Sequence, residues 1–98
     1  MADFILLMHG DYDLDGKTEN WQPYLDMLSS AGALRGGSAI GSGLCMRRSG
    51  FIPDVSRRLV GYVKIEARDL DHARELVQGN PVYEAGGTVE IRELPASS

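Results

Sequence analysis

The stretch from Leu59 to Leu94 leaves this chain few folds to choose from. Gly61-Tyr62-Val63-Lys64-Ile65-Glu66 alternates apolar and polar positions with a period of two, as a half-buried strand does. Arg68-Asp69 breaks that alternation, and Asp69 is a favourable N-cap for a helix. Leu70, Ala73, Leu76 and Val77 then recur at helical spacing, so one face of this second helix is apolar. Gly79-Asn80-Pro81 stops the helix, and Gly86-Gly87 turns the chain into a second alternating strand, Thr88–Leu94. Strand, helix, strand is therefore the expected order here.

Upstream, Asp3–His9 is a short apolar run bounded by Gly10, and reads as another strand. Phe4, Leu6 and Met8 point to one face, and Ile5, Leu7 and His9 to the other. Apolar side chains on both faces place this strand centrally, in a sheet covered on both sides. The next segment, Asp11–Asn20, is polar and rich in turn formers. Its D-x-D-x-D-G spacing through Gly16 suggests a calcium loop, but Gln22 stands where the closing glutamate belongs and a strand precedes the loop instead of a helix. A solvated acidic loop is the simpler reading. Thr18 or Asn20 is expected to cap a first helix running to about Ala31 and ending at Gly32, with Pro23 in its first turn. Trp21, Tyr24, Leu25 and Leu28 form its core-facing stripe. Leu34–Met46 carries four glycines and is expected as two extended pieces or one kinked edge strand. Residues 47–58, with four arginines around Pro53, read as a loop or hairpin tip, and Pro95–Ser98 as a disordered tail.

The order is thus β-α-β-β-α-β, an α+β chain of the ferredoxin-like class, forming one domain over residues 1–94. In that arrangement the first and third strands are central and both helices share one face. The bare face would carry Ile5, Leu7, Val60 and Tyr62 beside Lys64, Thr88, Glu90 and Arg92. So much apolar area is costly to leave wet, and pairing two sheets face to face would cover it. A homodimer is expected.

The net charge of −4 disfavours nucleic acid, whose affinity rests on basic side chains against phosphates. No segment is long and apolar enough to span a bilayer. The apolar stretch Phe4–Met8 is too short, and too acidic at its start, for a secretory signal. The single cysteine, Cys45, has no internal disulfide partner, which fits a reducing, cytoplasmic interior. It also lacks a basic partner at a helix start to activate it as a nucleophile. The two histidines and one cysteine show no metal-ligand spacing, and no cofactor motif is present, since the segment 36–43 does not sit at a strand-to-helix turn.

The segment 61–81 followed by 86–94, with the upstream HGD strand end, the AGAL helix end and the glycine-rich strand, resembles the YCII-related family, in particular its DGPF-like branch. The resemblance covers most of the chain. It implies a ferredoxin-like protomer and a dimeric α+β barrel. The signature loop departs from the family pattern, with Ser49-Gly50-Phe51-Ile52 in the place of Asp-Gly-Pro-Phe. The resemblance also implies a histidine–aspartate dyad in some members; Trp21 and Asn80 stand at those two positions here, and neither serves as a general base near neutral pH.

His9 is the foremost catalytic candidate. It ends a central strand, and Asp11 two residues on is placed to orient its imidazole. The competing reading is a histidine satisfied by a backbone carbonyl. Trp21, Arg35, Tyr62 and Asn80 are the candidate ligand-binding residues; against them stand a core tryptophan, a solvated arginine rim shared with Arg47 and Arg48, and an asparagine that merely caps a helix. His72 reads as solvated. Three functions stay open: a binder of a small polar or anionic molecule, a lyase or isomerase using His9 as base, and a non-catalytic interaction module.

Overall fold

A computed structural model describes residues 1–15 and 18–96 of the protein. Gly16, in the acidic loop, and Ser97-Ser98, in the tail, lie outside the described residues. The elements are β1 (Ala2–His9), α1 (Gln22–Ser30), β2 (Leu34–Ala39), β3 (Leu59–Ala67), α2 (Leu70–Glu75), α3 (Pro81–Glu84) and β4 (Val89–Leu94). All strand pairings are antiparallel, in the order β2-β3-β1-β4. This is a four-stranded sheet with three helices, a ferredoxin-like fold. The two strands with the most continuous apolar pattern, β1 and β3, are central, because only central strands bury side chains against neighbours on both edges.

Phe4, Leu6 and Met8 of β1, Val63, Ile65 and Ala67 of β3, Tyr24 and Leu28 of α1, and Ala73, Leu76, Val77 and Val82 form the buried cluster under the helices. Phe4, Leu6, Leu28 and Ile65 are fully buried; each contributes roughly 1.5–3 kcal/mol by leaving water. On the opposite face the register sets Leu7 beside Tyr62 and Glu90, and Ile5 beside Lys64 and Arg92. Ile5, Leu7 and Tyr62 are only half-buried there, so the alternation of β1 divides one covered face from one open face.

Several boundaries differ from those expected of the sequence. Thr18 and Asn20 do not cap the first helix: Trp21 occupies the N-cap position without a side-chain bond, and Pro23 in the first turn lacks the N–H that a cap would satisfy. The second helix divides. Asp69 caps α2 as expected, its carboxylate accepting from His72 N at 2.8 Å, but α2 ends at Glu75. Asn80 does not close that helix; it opens a further one, α3, with Pro81 in the first turn. Of the glycine-rich segment only Leu34–Ala39 is strand, and it bulges between Leu34 and Gly36, where Gly36 takes φ +131°, a conformation open to glycine. Val60 is the extra residue of a second bulge, since Met8 pairs with Gly61 but His9 pairs with Leu59. The bulge turns Val60 away from the open face expected for it.

Candidate functional site

The space between sheet and helices is incompletely filled. At nine residues α1 is only about 14 Å long at 1.5 Å per residue, too short to cover the sheet from end to end. Beneath its N-terminal end the edge strand offers Gly36, Gly37, Ser38 and Ala39, with little side-chain volume. A cavity of about 540 Å³ results. Met8, Val60 and Val63 form its floor, Trp21 and Leu25 its roof, and Tyr12 and Glu19 its wall.

Among the described residues, Glu19 is the one charged side chain lining this cavity. Its Oε1 accepts a hydrogen bond from the Tyr12 hydroxyl, and its Oε2 accepts from Trp21 Nε1 at 2.8 Å. Trp21 is braced edge-on against Tyr24, with ring centroids 6.0 Å apart. The bond to Glu19, then burial, push the Tyr12 phenol up to about 12. Tyr12 therefore stays protonated and remains a donor near neutral pH. Two aromatic donors thus orient one carboxylate in an otherwise apolar recess. Neither Tyr12 nor Glu19 carries a signal in the sequence, because both sit in a polar loop that reads as solvated. The one local hint is that Glu19 lies two residues before Trp21.

A second cluster lies at the end of the sheet. His9 is 8% exposed. Its Nε2 donates to Glu90 Oε1 at 2.9 Å, as it must, because an ionised carboxylate can only accept. That bond, and a weaker one from Arg92, hold the Glu90 carboxyl below the usual carboxylate range. Asp11 does not orient His9. Its two oxygens take Thr88 N at 2.8 Å and Thr88 Oγ1 at 2.6 Å, which lowers its carboxyl too. The cause is register. His9 N donates to Thr88 O, and Glu90, two residues along β4, therefore lies on the same face as the imidazole.

The residues singled out from sequence are thus dispersed. Trp21 borders the cavity, whereas Tyr62 meets it only along β3, its side chain lying with Leu7 on the open face. His9 and Asp11 border a shallow depression with Arg57 and Arg58. Arg35 is tied to Glu66 at 3.3 Å and to the carbonyls of Gly32 and Leu34. Asn80 is wholly buried, and its Oδ1 accepts from Val82 N and Tyr83 N at 2.9 and 3.2 Å. Its oxygen is committed to starting α3. His72 Nδ1 accepts from Arg68 N at 3.0 Å. Cys45 is half-buried in the connection between β2 and β3. Among the described residues, no helix is long and apolar enough to cross a membrane.

No protein-family model and no curated protein matches the chain. Among solved structures, it is similar to 5-chloro-2-hydroxyhydroquinone dehydrochlorinase (TftG) from Burkholderia phenoliruptrix AC1100, in complex with 2,5-dihydroxybenzoquinone. The TM-score is 0.58 with 16% identity, over 99% of this chain and 96% of that one. At that identity the likeness is one of fold.

Proposed function

We propose that this protein binds a small, flat, weakly polar molecule in the cavity between β2, β3 and α1, with Glu19 accepting a hydrogen bond from a ligand hydroxyl or amine. The observation that carries this reading is the Glu19 carboxylate held by Tyr12 and Trp21 in an apolar recess of about 540 Å³. Recesses of that size, apolar apart from a few oriented polar groups, are the usual form of small-molecule sites. A carboxylate as the charged wall residue disfavours anions, which narrows the polar-or-anionic expectation to neutral or cationic ligands. The quinone bound by a protein of the same fold has comparable size and flatness, but its hydroxyls are vinylogous acids, ionised near neutral pH, so a neutral hydroxylated aromatic suits the Glu19 wall better. Membership of the YCII-related family, its DGPF-like branch included, a cytoplasmic location and a homodimer closed over Ile5, Leu7 and Tyr62 belong to the same proposal.

The test is a thermal-shift and calorimetric titration with neutral hydroxylated aromatics, with the anionic 2,5-dihydroxybenzoquinone as the contrast expected to bind more weakly. Ligands that bind only the folded state raise the Tm. Glu19→Gln and Trp21→Ala should each abolish the shift while leaving the far-UV spectrum unchanged. Equal binding by Glu19→Gln would remove Glu19 from the site.

One observation favours a second reading, proton transfer at His9: the imidazole is mostly buried and paired with a carboxylate. That reading requires turnover with a limb set by a histidine, lost in His9→Ala and unaffected by Glu19→Gln.

A further inference from the structure

Between Ala39 and Leu59 the chain runs as an arm, residues 40–58, without helix or strand. Connections of that length are uncommon in compact domains and usually have a task of their own. The arm carries Leu44, Met46 and Phe51 at 77, 85 and 83% exposure. None of the three belongs to the buried cluster. The molecule is more extended than a compact chain of this length, with a radius of gyration of 15.0 Å against about 13 Å. Exposed apolar side chains of this size on one segment mark a contact surface.

Charge indicates what the contact is with. The arm holds Arg47, Arg48, Arg57 and Arg58 against one acid, Asp54. Among the described residues, none of these arginines is paired with a carboxylate. Residues 11–20 have the opposite balance, with Asp11, Asp13, Asp15 and Glu19 against Lys17. Arm and acidic loop start at the same end of the sheet, where Gly10 N donates to Arg58 O at 2.8 Å. A twofold axis near that end would set each arm against the other copy's loop, making the same contact twice.

We propose that the arm of one copy docks on the acidic loop of a second copy of this chain, its apolar side chains leaving water and its arginines meeting Asp11, Asp13 and Asp15. Tyr12 and Glu19 of that loop form the cavity wall, so the docked arm lies at the cavity and adds a partner residue to the site. The inference rests on the dimer proposed above and adds to it a contact that the bare sheet face does not supply.

Sedimentation equilibrium decides it, on the full chain, with Met46→Asp/Phe51→Asp and Arg47→Glu/Arg48→Glu for the arm and Leu7→Asp for the sheet face. The wild type should dimerise, with an affinity that falls as NaCl rises. The apolar arm variant should weaken association at least 100-fold with an unchanged far-UV spectrum, since each large apolar side chain returned to water is worth about tenfold or more. The arginine variant should weaken association and flatten its salt dependence. Arm variants that dimerise as tightly as the wild type, while Leu7→Asp does not, would overturn the arm contact and leave the sheet-face dimer standing. A wild type that is monomeric at every concentration would overturn both. A monomer that floats with phosphatidylserine vesicles, and stops floating in the arm variants, would overturn the second copy in favour of a lipid surface.

Discussion

Asn80→Ala separates a structural asparagine from a ligand-binding one. The side chain is fully buried, and Oδ1 accepts from both Val82 N and Tyr83 N. Losing an N-cap of this kind costs about 1 kcal/mol. Burial adds to that, because no water reaches the freed Val82 N–H, and an orphaned buried donor costs about 1–3 kcal/mol. One term runs the other way: Nδ2 of Asn80 is itself buried without a partner, and its removal relieves that penalty. The net expectation is a loss of about 1–3 kcal/mol. For a domain of this size each kcal/mol moves the Tm by about 4–8 °C, so thermal denaturation followed by circular dichroism should show a drop of about 4–24 °C. Asn80→Ser, which keeps one short acceptor, should lose less. Ligand binding in the cavity should persist in both variants at temperatures where they are folded. An Asn80→Ala protein as stable as the wild type, yet unable to bind, would refute the capping account and restore Asn80 to the site.

Two further outcomes test how the cavity wall is held. Gly87→Ala should destabilise by about 1–3 kcal/mol in urea denaturation, because a Cβ there would lie 2.6 Å from Val82 Cγ1 and 2.9 Å from Tyr12 Cβ; it should also weaken ligand binding by displacing Tyr12 from Glu19, and undiminished binding would show that Tyr12 does not set the wall. Alkaline titration is the other: Tyr12 and Tyr24 are both pushed up to about 12, the first chiefly by its bond to Glu19 and the second chiefly by burial. Folded values above the unfolded value of 10 mean a contribution that is fully present below pH 10 and lost as pH rises toward 12, so phenolate absorbance from these two tyrosines should appear together with loss of the far-UV signal.

Local chemistry accounts for the parts of this protein that were legible from the residues. The alternation of Gly61–Glu66 and the two-sided apolar run of Asp3–His9 placed β3 and β1 at the centre of the sheet, because strand side chains repeat every two residues whatever surrounds them. Asp69 capped α2 for an equally local reason, a carboxylate three residues before the amide it accepts from. Trp21 and Tyr24 fell on one helical stripe, and the stripe proved to face the sheet. Each of these comes from a period or a short-range bond.

Tertiary structure decided the rest. His9 and Glu90 are 81 positions apart, and only the pairing of β1 with β4 puts them on one face; from sequence Asp11 looked the nearer partner, but its oxygens were drawn to Thr88. Glu19 became a cavity residue because Tyr12 and Trp21 hold its carboxylate beside the recess that a short helix and a glycine-rich edge strand leave unfilled. Asn80 looked like the end of one helix and was the start of another, since burial fixed its oxygen on Val82 and Tyr83. Secondary structure is set by periodic local preference, which a chain carries in its own order of residues. A site is set by register and by unfilled volume, and both exist only once distant segments have packed together.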